Sequence, residues 1–179
     1  LLKDSEHASA VFRLALISGK LGMLDDAEKG YRKYLELRPD DSLTHHNLGL
    51  TMKEKGDLVA AEFYFRKAVR LDQKASSRVR SPFATLHQMG LVQFLYEQKD
   101  YDEAEALVRE AIRANSSSAR AQSWLGYIYF TVREDDVTAI VHYSKALELN
   151  PMEPNAKINL DKALGRVTAK ELVDKARAN

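Results

Sequence analysis

Cysteine is absent from the 179-residue chain, which rules out a disulfide framework and any thiolate metal site. Proline and glycine are scarce, at 4 and 8 residues, so there are few places where a helix is forced to stop. A charge excess is missing too: Lys+Arg 27 against Asp+Glu 26 leaves a net charge of +1, too small to name a partner. The longest apolar stretch runs from Trp124 to Phe130, far short of the roughly 18 residues that a membrane-spanning helix needs. No basic-then-apolar leader opens the chain, and the opening Leu1-Leu2 in place of methionine suggests a fragment or a mature product. A soluble protein without membrane insertion is expected. The cytoplasm is the default, and no compartment is fixed.

Catalytic spacing is equally missing. There is no G-x-x-x-x-G-K-[ST], no G-x-G-x-x-G, no H-E-x-x-H and no calcium loop. Of the histidines His7, His45, His46, His87 and His142, only His45 and His46 are close, and neighbours on a helix point about 100° apart, so they cannot chelate as an i,i+4 pair would. No catalytic residue, cofactor or metal is expected, and the chain reads as a non-enzyme.

What is present is helical periodicity. At 45% hydrophobic residues and 30% charged ones the composition is globular, and the apolar positions recur at three and four residues, as in Ala61, Phe65, Ala68 and Val69. No run alternates with period two, so the fold class is all-α. Sliding the chain on itself brings Leu48-Gly49, Ala61, Phe65 and Ala68 onto Leu125-Gly126, Ala139, Tyr143 and Ala146.

That pattern resembles the tetratricopeptide repeat (TPR) family, whose 34-residue helix-turn-helix unit carries W-x2-L-G-x2-Y, then A-x3-F, then P. The resemblance covers nearly the whole chain and implies a right-handed solenoid of antiparallel helix pairs, four repeats plus a C-terminal capping helix pair. The repeats fall at residues 8–41, 42–75, 85–118 and 119–153, with an insertion at 76–84 and the cap at 154–179. Leu14-Ala15, Ala27, Tyr31 and Pro39 mark repeat one, and Tyr101-Asp102-Glu103-Ala104 sets the register of repeat three. There Gly90 sits two places early. Repeat four carries one extra residue in its internal turn. Pro154 suits a first helical position, and Thr168-x-x-Glu171 reads as a capping box for a last helix.

Close packing within a pair needs small residues facing each other, which Gly49 with Ala61 and Gly126 with Ala139 supply. Ala68, Ala111 and Ala146 serve contact with the next repeat. Repeat one has Tyr34 at that place, so its junction should be packed differently. The acids Asp25, Asp26, Asp57, Asp100, Asp102, Glu103, Glu134, Asp135 and Asp136 gather in the internal turns, where capping and the helix dipole favour carboxylates.

The insertion makes either a longer second helix with a loop or a local change of path, and the loop is favoured. Ser76 to Ser81 offers only Val79 for burial, so an exposed basic loop bearing Arg78 and Arg80 is expected. Together with Arg66, Lys67, Arg70 and Lys74, opposed only by Asp72, these form a local basic patch. A nucleic-acid surface would call for a longer basic face with interleaved aromatics, and none is expected.

The resemblance also implies that first helices line a concave groove for a protein or peptide partner. By register its face carries Phe12, Leu16, His46, Asn47, Leu50, Lys53, Met89, Gln93, Tyr96, Trp124, Tyr127, Phe130, Asn159 and Lys162. Trp124 stands two places past the family's tryptophan slot, and Trp and Tyr are favoured at binding hot spots. Asn47 resembles the asparagine with which many such domains grip a ligand's backbone amide. The lysine and arginine slots of the family's carboxylate clamp hold Phe12, His46, Leu86 and Gly90, so a chaperone-tail adaptor is not expected. The expected function is a non-catalytic scaffold that binds a partner's peptide or helix and supports assembly of a complex. The alternatives are the recognition arm of an enzyme whose catalytic domain lies elsewhere, and self-association through an end face.

Overall fold

The computed structural model describes residues 2–74 and 84–177, and the basic loop expected around Arg78 and Arg80, with most of the insertion, lies outside these described residues. Nine α-helices and no strand occur among them: α1 (Leu2–Lys20), α2 (Leu24–Leu37), α3 (Ser42–Lys55), α4 (Leu58–Lys74), α5 (Ala84–Glu97), α6 (Tyr101–Ala114), α7 (Ala119–Ile128), α8 (Asp136–Leu149) and α9 (Ala156–Arg177). The fold is all-α, built of helix pairs joined by short turns. The chain divides into two compact units, 1–94 and 95–179, with the division inside α5.

Helices α3, α4, α6, α7 and α8 start where a polar side chain satisfies one of the first free amides, whereas α2 opens at Met23 with no side-chain cap. Asp41 accepts from the Thr44 amide at 2.7 Å and from its hydroxyl at 2.6 Å, opening α3. Asp57, Asp100 and Asp135 do the same for Ala60, Glu103 and Thr138, at 3.0, 3.3 and 3.0 Å. Three other turn acids have other work. Asp25 pairs with Lys55, Asp102 with Arg133 at 2.6 Å, and Asp136 with Arg166 at 2.7 Å, so these three tie helices together rather than cap them. Gly56 closes α3 at φ 84°, a left-handed conformation that a side chain would strain.

In the first unit α1 packs on α2, α2 on α3 and α3 on α4. Gly49 lies under the Phe65 ring, where a Cβ would come within 3.0 Å of Cδ1. In repeat one the small residue has moved to the second helix: a Cβ on Gly30 would meet Ala15 Cβ at 2.7 Å. Tyr34 turns back onto Phe12 of its own pair, ring centroids 5.2 Å apart.

In the second unit α6 packs on α7, α7 on α8, and α8 on α9. Tyr143 is fully buried among Ala139, Ala146 and Ala156. A Cβ on Gly126 would sit 2.9 Å from its ring and 3.2 Å from the Ala139 carbonyl oxygen, so ring and backbone together fill the space expected to be taken by a facing alanine.

Two expectations need correction. The extra residue of repeat four enters no loop: residues Tyr129–Arg133 widen into a π-helical turn, closed by Glu134 at φ 53°. The C-terminal cap is one uninterrupted helix, not a pair. The Thr168 hydroxyl donates to the Leu164 carbonyl at 3.0 Å, four residues back, so it bonds within a continuing helix instead of opening a new one. Pro154 lies in the turn ahead of α9.

Candidate functional site

The strongest convergence of candidate residues is an aromatic cluster in the second unit. Tyr96, in the last turn of α5, centres it. Its ring lies 5.2 Å from Tyr101, 5.9 Å from Trp124 and 5.2 Å from Tyr127, and Trp124 meets Tyr127 edge-on at 5.7 Å. All four rings are half-buried, each presenting part of its surface to solvent.

Local structure explains the gathering. Lys99 takes a left-handed conformation (φ 67°) and the Asp100 amide bonds the Leu95 carbonyl, which ends α5 sharply and brings Tyr101 back toward Tyr96. Trp124 and Tyr127 are three apart on α7 and so share a face. The Tyr96 hydroxyl donates to Thr131 Oγ1 at 2.9 Å, and the Thr131 hydroxyl donates to the Tyr127 carbonyl at 2.6 Å. Thr131 stands in the π-helical turn, a rare element that recurs at functional sites. Burial, with Tyr96 beside it, raises the Tyr127 phenol above its ordinary range, so the hydroxyl stays neutral at physiological pH.

Beneath the cluster the turn is braced. Arg133 bonds Asp102 and Glu105, and Arg109 reaches both Glu105 and the Tyr129 hydroxyl. Burial would raise Glu105, but these two arginines outweigh it and hold the carboxyl below its usual range.

The other expected groove residues are distributed differently. Phe130 is half-buried beside the Tyr143 cluster, with the Arg166 guanidinium 3.5 Å above its ring and bonded to its carbonyl, so it braces α9. Asn159 is half-buried and Lys162 exposed. In the first unit, Phe12 packs on Tyr31 and Tyr34, Leu16, Asn47 and Lys53 are half-buried, and Leu50 and Gln93 are exposed. His46 and Met89 are interior, at 6% and 3% exposure, and offer no surface to a ligand.

His46 turns inward because Gly90 makes room for it. A Cβ on Gly90 would meet His46 Cε1 at 2.4 Å. Its imidazole packs 5.5 Å from Phe65 and 4.9 Å from His87, whose Nδ1 is 2.6 Å from Asp72 Oδ2. His45 stacks on Tyr64 and bonds the Pro39 carbonyl at 2.9 Å, the packing role its register implied. Among the described residues no group of three His, Asp or Glu could hold a metal ion, and no helix is long and apolar enough to cross a membrane.

Two members of the cluster, Tyr101 and Thr131, are not among the groove residues that the sequence points to. Tyr101 reads in sequence only as part of the turn motif that sets the register of repeat three. Thr131 was findable, since it follows Tyr127 by four residues.

Comparison with known proteins agrees with this architecture. The family model described as tetratricopeptide repeat matches residues 53–119 and 89–154, and a second of the same description matches residues 8–41. The DnaJ protein P58IPK homolog of Arabidopsis thaliana is 26% identical over 86% of the chain, and the type IV pilus assembly protein PilF of Pseudomonas aeruginosa is 26% identical over 87%. The chain spans 33% of the length of the first and 58% of the second. A solved structure of Pseudomonas aeruginosa PilF superposes with a TM-score of 0.74 at 24% identity, covering 93% of this chain and 72% of that one.

Proposed function

Because the chain belongs to the tetratricopeptide repeat family, we propose that it is a non-catalytic scaffold that holds a peptide or helix of a protein partner against Tyr96, Trp124 and Tyr127, and so supports assembly of a larger complex. The observation that carries this reading is the half-buried aromatic cluster. Rigid aromatic rings bury much area for few frozen torsions, which makes Trp and Tyr efficient anchors. The rings touch one another, so they form a corrugated surface rather than a cage around a single cation. The Thr131 bonds fix Tyr96 against Tyr127 before any ligand arrives, which lowers the ordering cost of binding. The PilF likeness favours an assembly role, since that protein is named for pilus assembly.

The triple variant Tyr96→Ala/Trp124→Ala/Tyr127→Ala should weaken capture of the partner at least tenfold, with the helical circular dichroism signal retained. Phe130 is left intact because its ring supports Arg166 and the core. Capture at wild-type strength would remove the aromatic cluster as the docking site.

A further inference from the structure

The outward face of α4 carries a second surface, in residues 1–94 and separate from the aromatic cluster. α4 buries Ala61, Phe65, Ala68 and Val69. On the opposite side Val59, Phe63, Arg66, Arg70 and Lys74 fall within an arc of about 80° at 100° per residue. Val59 is 83% exposed and Phe63 56%. Phe63 is held from behind by Tyr64, edge-on at 5.2 Å, and Tyr64 is stacked on the buried His45. Two outward apolar side chains are thus presented on a firm support, followed by cations toward the helix C-terminus.

Toward the C-terminal end of this face, at Arg70 and Lys74, no counter-charge is at hand. Asp72, the acid within the basic run, turns inward to His87, and its side chain is 5% exposed. Glu62 is committed to Arg66 at 2.8 Å. Among the described residues Lys67, Arg70 and Lys74 have no carboxylate partner. A positive field therefore stands beside an apolar knob on a chain of net charge +1, so the attraction is local to this stripe.

We propose that this face of α4 docks an amphipathic helix of a partner protein, with apolar side chains at one end against Val59 and Phe63 and acidic side chains along the other against Arg70 and Lys74. The 4-3-4 spacing of Val59, Phe63, Arg66 and Arg70 is that of knobs along a helix–helix seam. A lipid surface would need a broader apolar face than two side chains and more than a local positive charge.

The test uses the full chain and a labelled synthetic helical peptide that carries Leu at the two positions facing Val59 and Phe63 and Glu at four positions facing the cations. A scrambled peptide of the same composition and phosphatidylserine-containing vesicles are the controls. The designed peptide should bind, its affinity should fall at least fivefold between low and physiological salt, and Arg70→Glu/Lys74→Glu should weaken it about tenfold. Phe63→Ser should weaken it severalfold while leaving the salt dependence in place. The substituted side chains point to solvent, so helicity should be unchanged. No binding of the designed peptide, equal binding of the scrambled one, indifference to the Arg70/Lys74 variant, or binding only to vesicles would each overturn the proposal.

Discussion

Replacing Tyr143 with alanine should lower the unfolding free energy by about 3–5 kcal/mol, the usual cost of emptying a fully buried aromatic site. The ring is 0% exposed and joins three helices: it faces Gly126 of α7, sits among Ala139 and Ala146 of its own helix, and touches the cluster that includes Ala156 of α9. Neighbouring small residues cannot expand into the void, so little of the loss is recovered by collapse. The reverse error has a definite sign as well. At an open helical position Gly→Ala stabilises by up to about 1 kcal/mol, but at Gly126 the new methyl meets the Tyr143 ring at 2.9 Å and the Ala139 carbonyl oxygen at 3.2 Å. Gly126→Ala should therefore destabilise, by about 1–3 kcal/mol. In the double variant the ring collision is gone, so its cost should be less than the two single costs summed. Urea unfolding of the four proteins checks this, and a Tyr143→Ala loss under about 1 kcal/mol would show that the ring is not the keystone described.

Acidification should destabilise the first unit before carboxylates are much protonated. Burial, then the neighbouring His87, lowers His46 from 6.5 to about 4, with Asp72 opposing. The unfolded chain takes up a proton at this side chain near pH 6.5 and the folded chain only near pH 4. Between those values the unfolded state binds more protons, so stability is full above pH 6.5 and falls as the pH drops toward 4. The shift corresponds to about 3 kcal/mol from this one group. His45, in the same unit, is lowered in the same direction, mainly by burial, and adds to the loss. His46→Leu should flatten the acid limb of the stability profile between pH 6.5 and 4. An unchanged acid limb in that variant would assign the effect to other groups.

These two sites show how far the sequence could be read. The register of Leu48-Gly49 and Leu125-Gly126 was legible because the small residue is dictated by contacts inside one helix pair, so the repeat and the all-α fold follow from local spacing. His46 was misplaced because its direction is set by Gly90 on another repeat, more than forty residues away in sequence. The displaced glycine was visible, but not the imidazole that fills the space above it. Asp72 looked like a surface counter-charge for the same reason, since only the fold brings His87 to it. The extra residue of repeat four could be counted but not located, because a π-helical turn and a longer loop absorb it equally well in sequence. Thr168 misled because the residue types of a capping box also occur inside a continuous helix.

The aromatic candidates fared unevenly on similar grounds. Tyr96, Trp124 and Tyr127 converge because a sharp α5 end and the spacing on α7 aim them at one place. Phe130 lies past the start of the π-helical turn, which carries its ring toward α9 and Arg166.

Trp124 is the chain's one tryptophan, so its fluorescence reports directly on the proposed docking surface. The most direct measurement titrates the wild-type chain, and Tyr96→Ala/Tyr127→Ala beside it, with a segment of the captured partner while following that emission. A saturable change in Trp124 emission should accompany binding to wild type, and the affinity of the variant should fall at least tenfold. Tight binding with no change in Trp124 emission, and equal affinity for the variant, would contradict docking on the aromatic cluster.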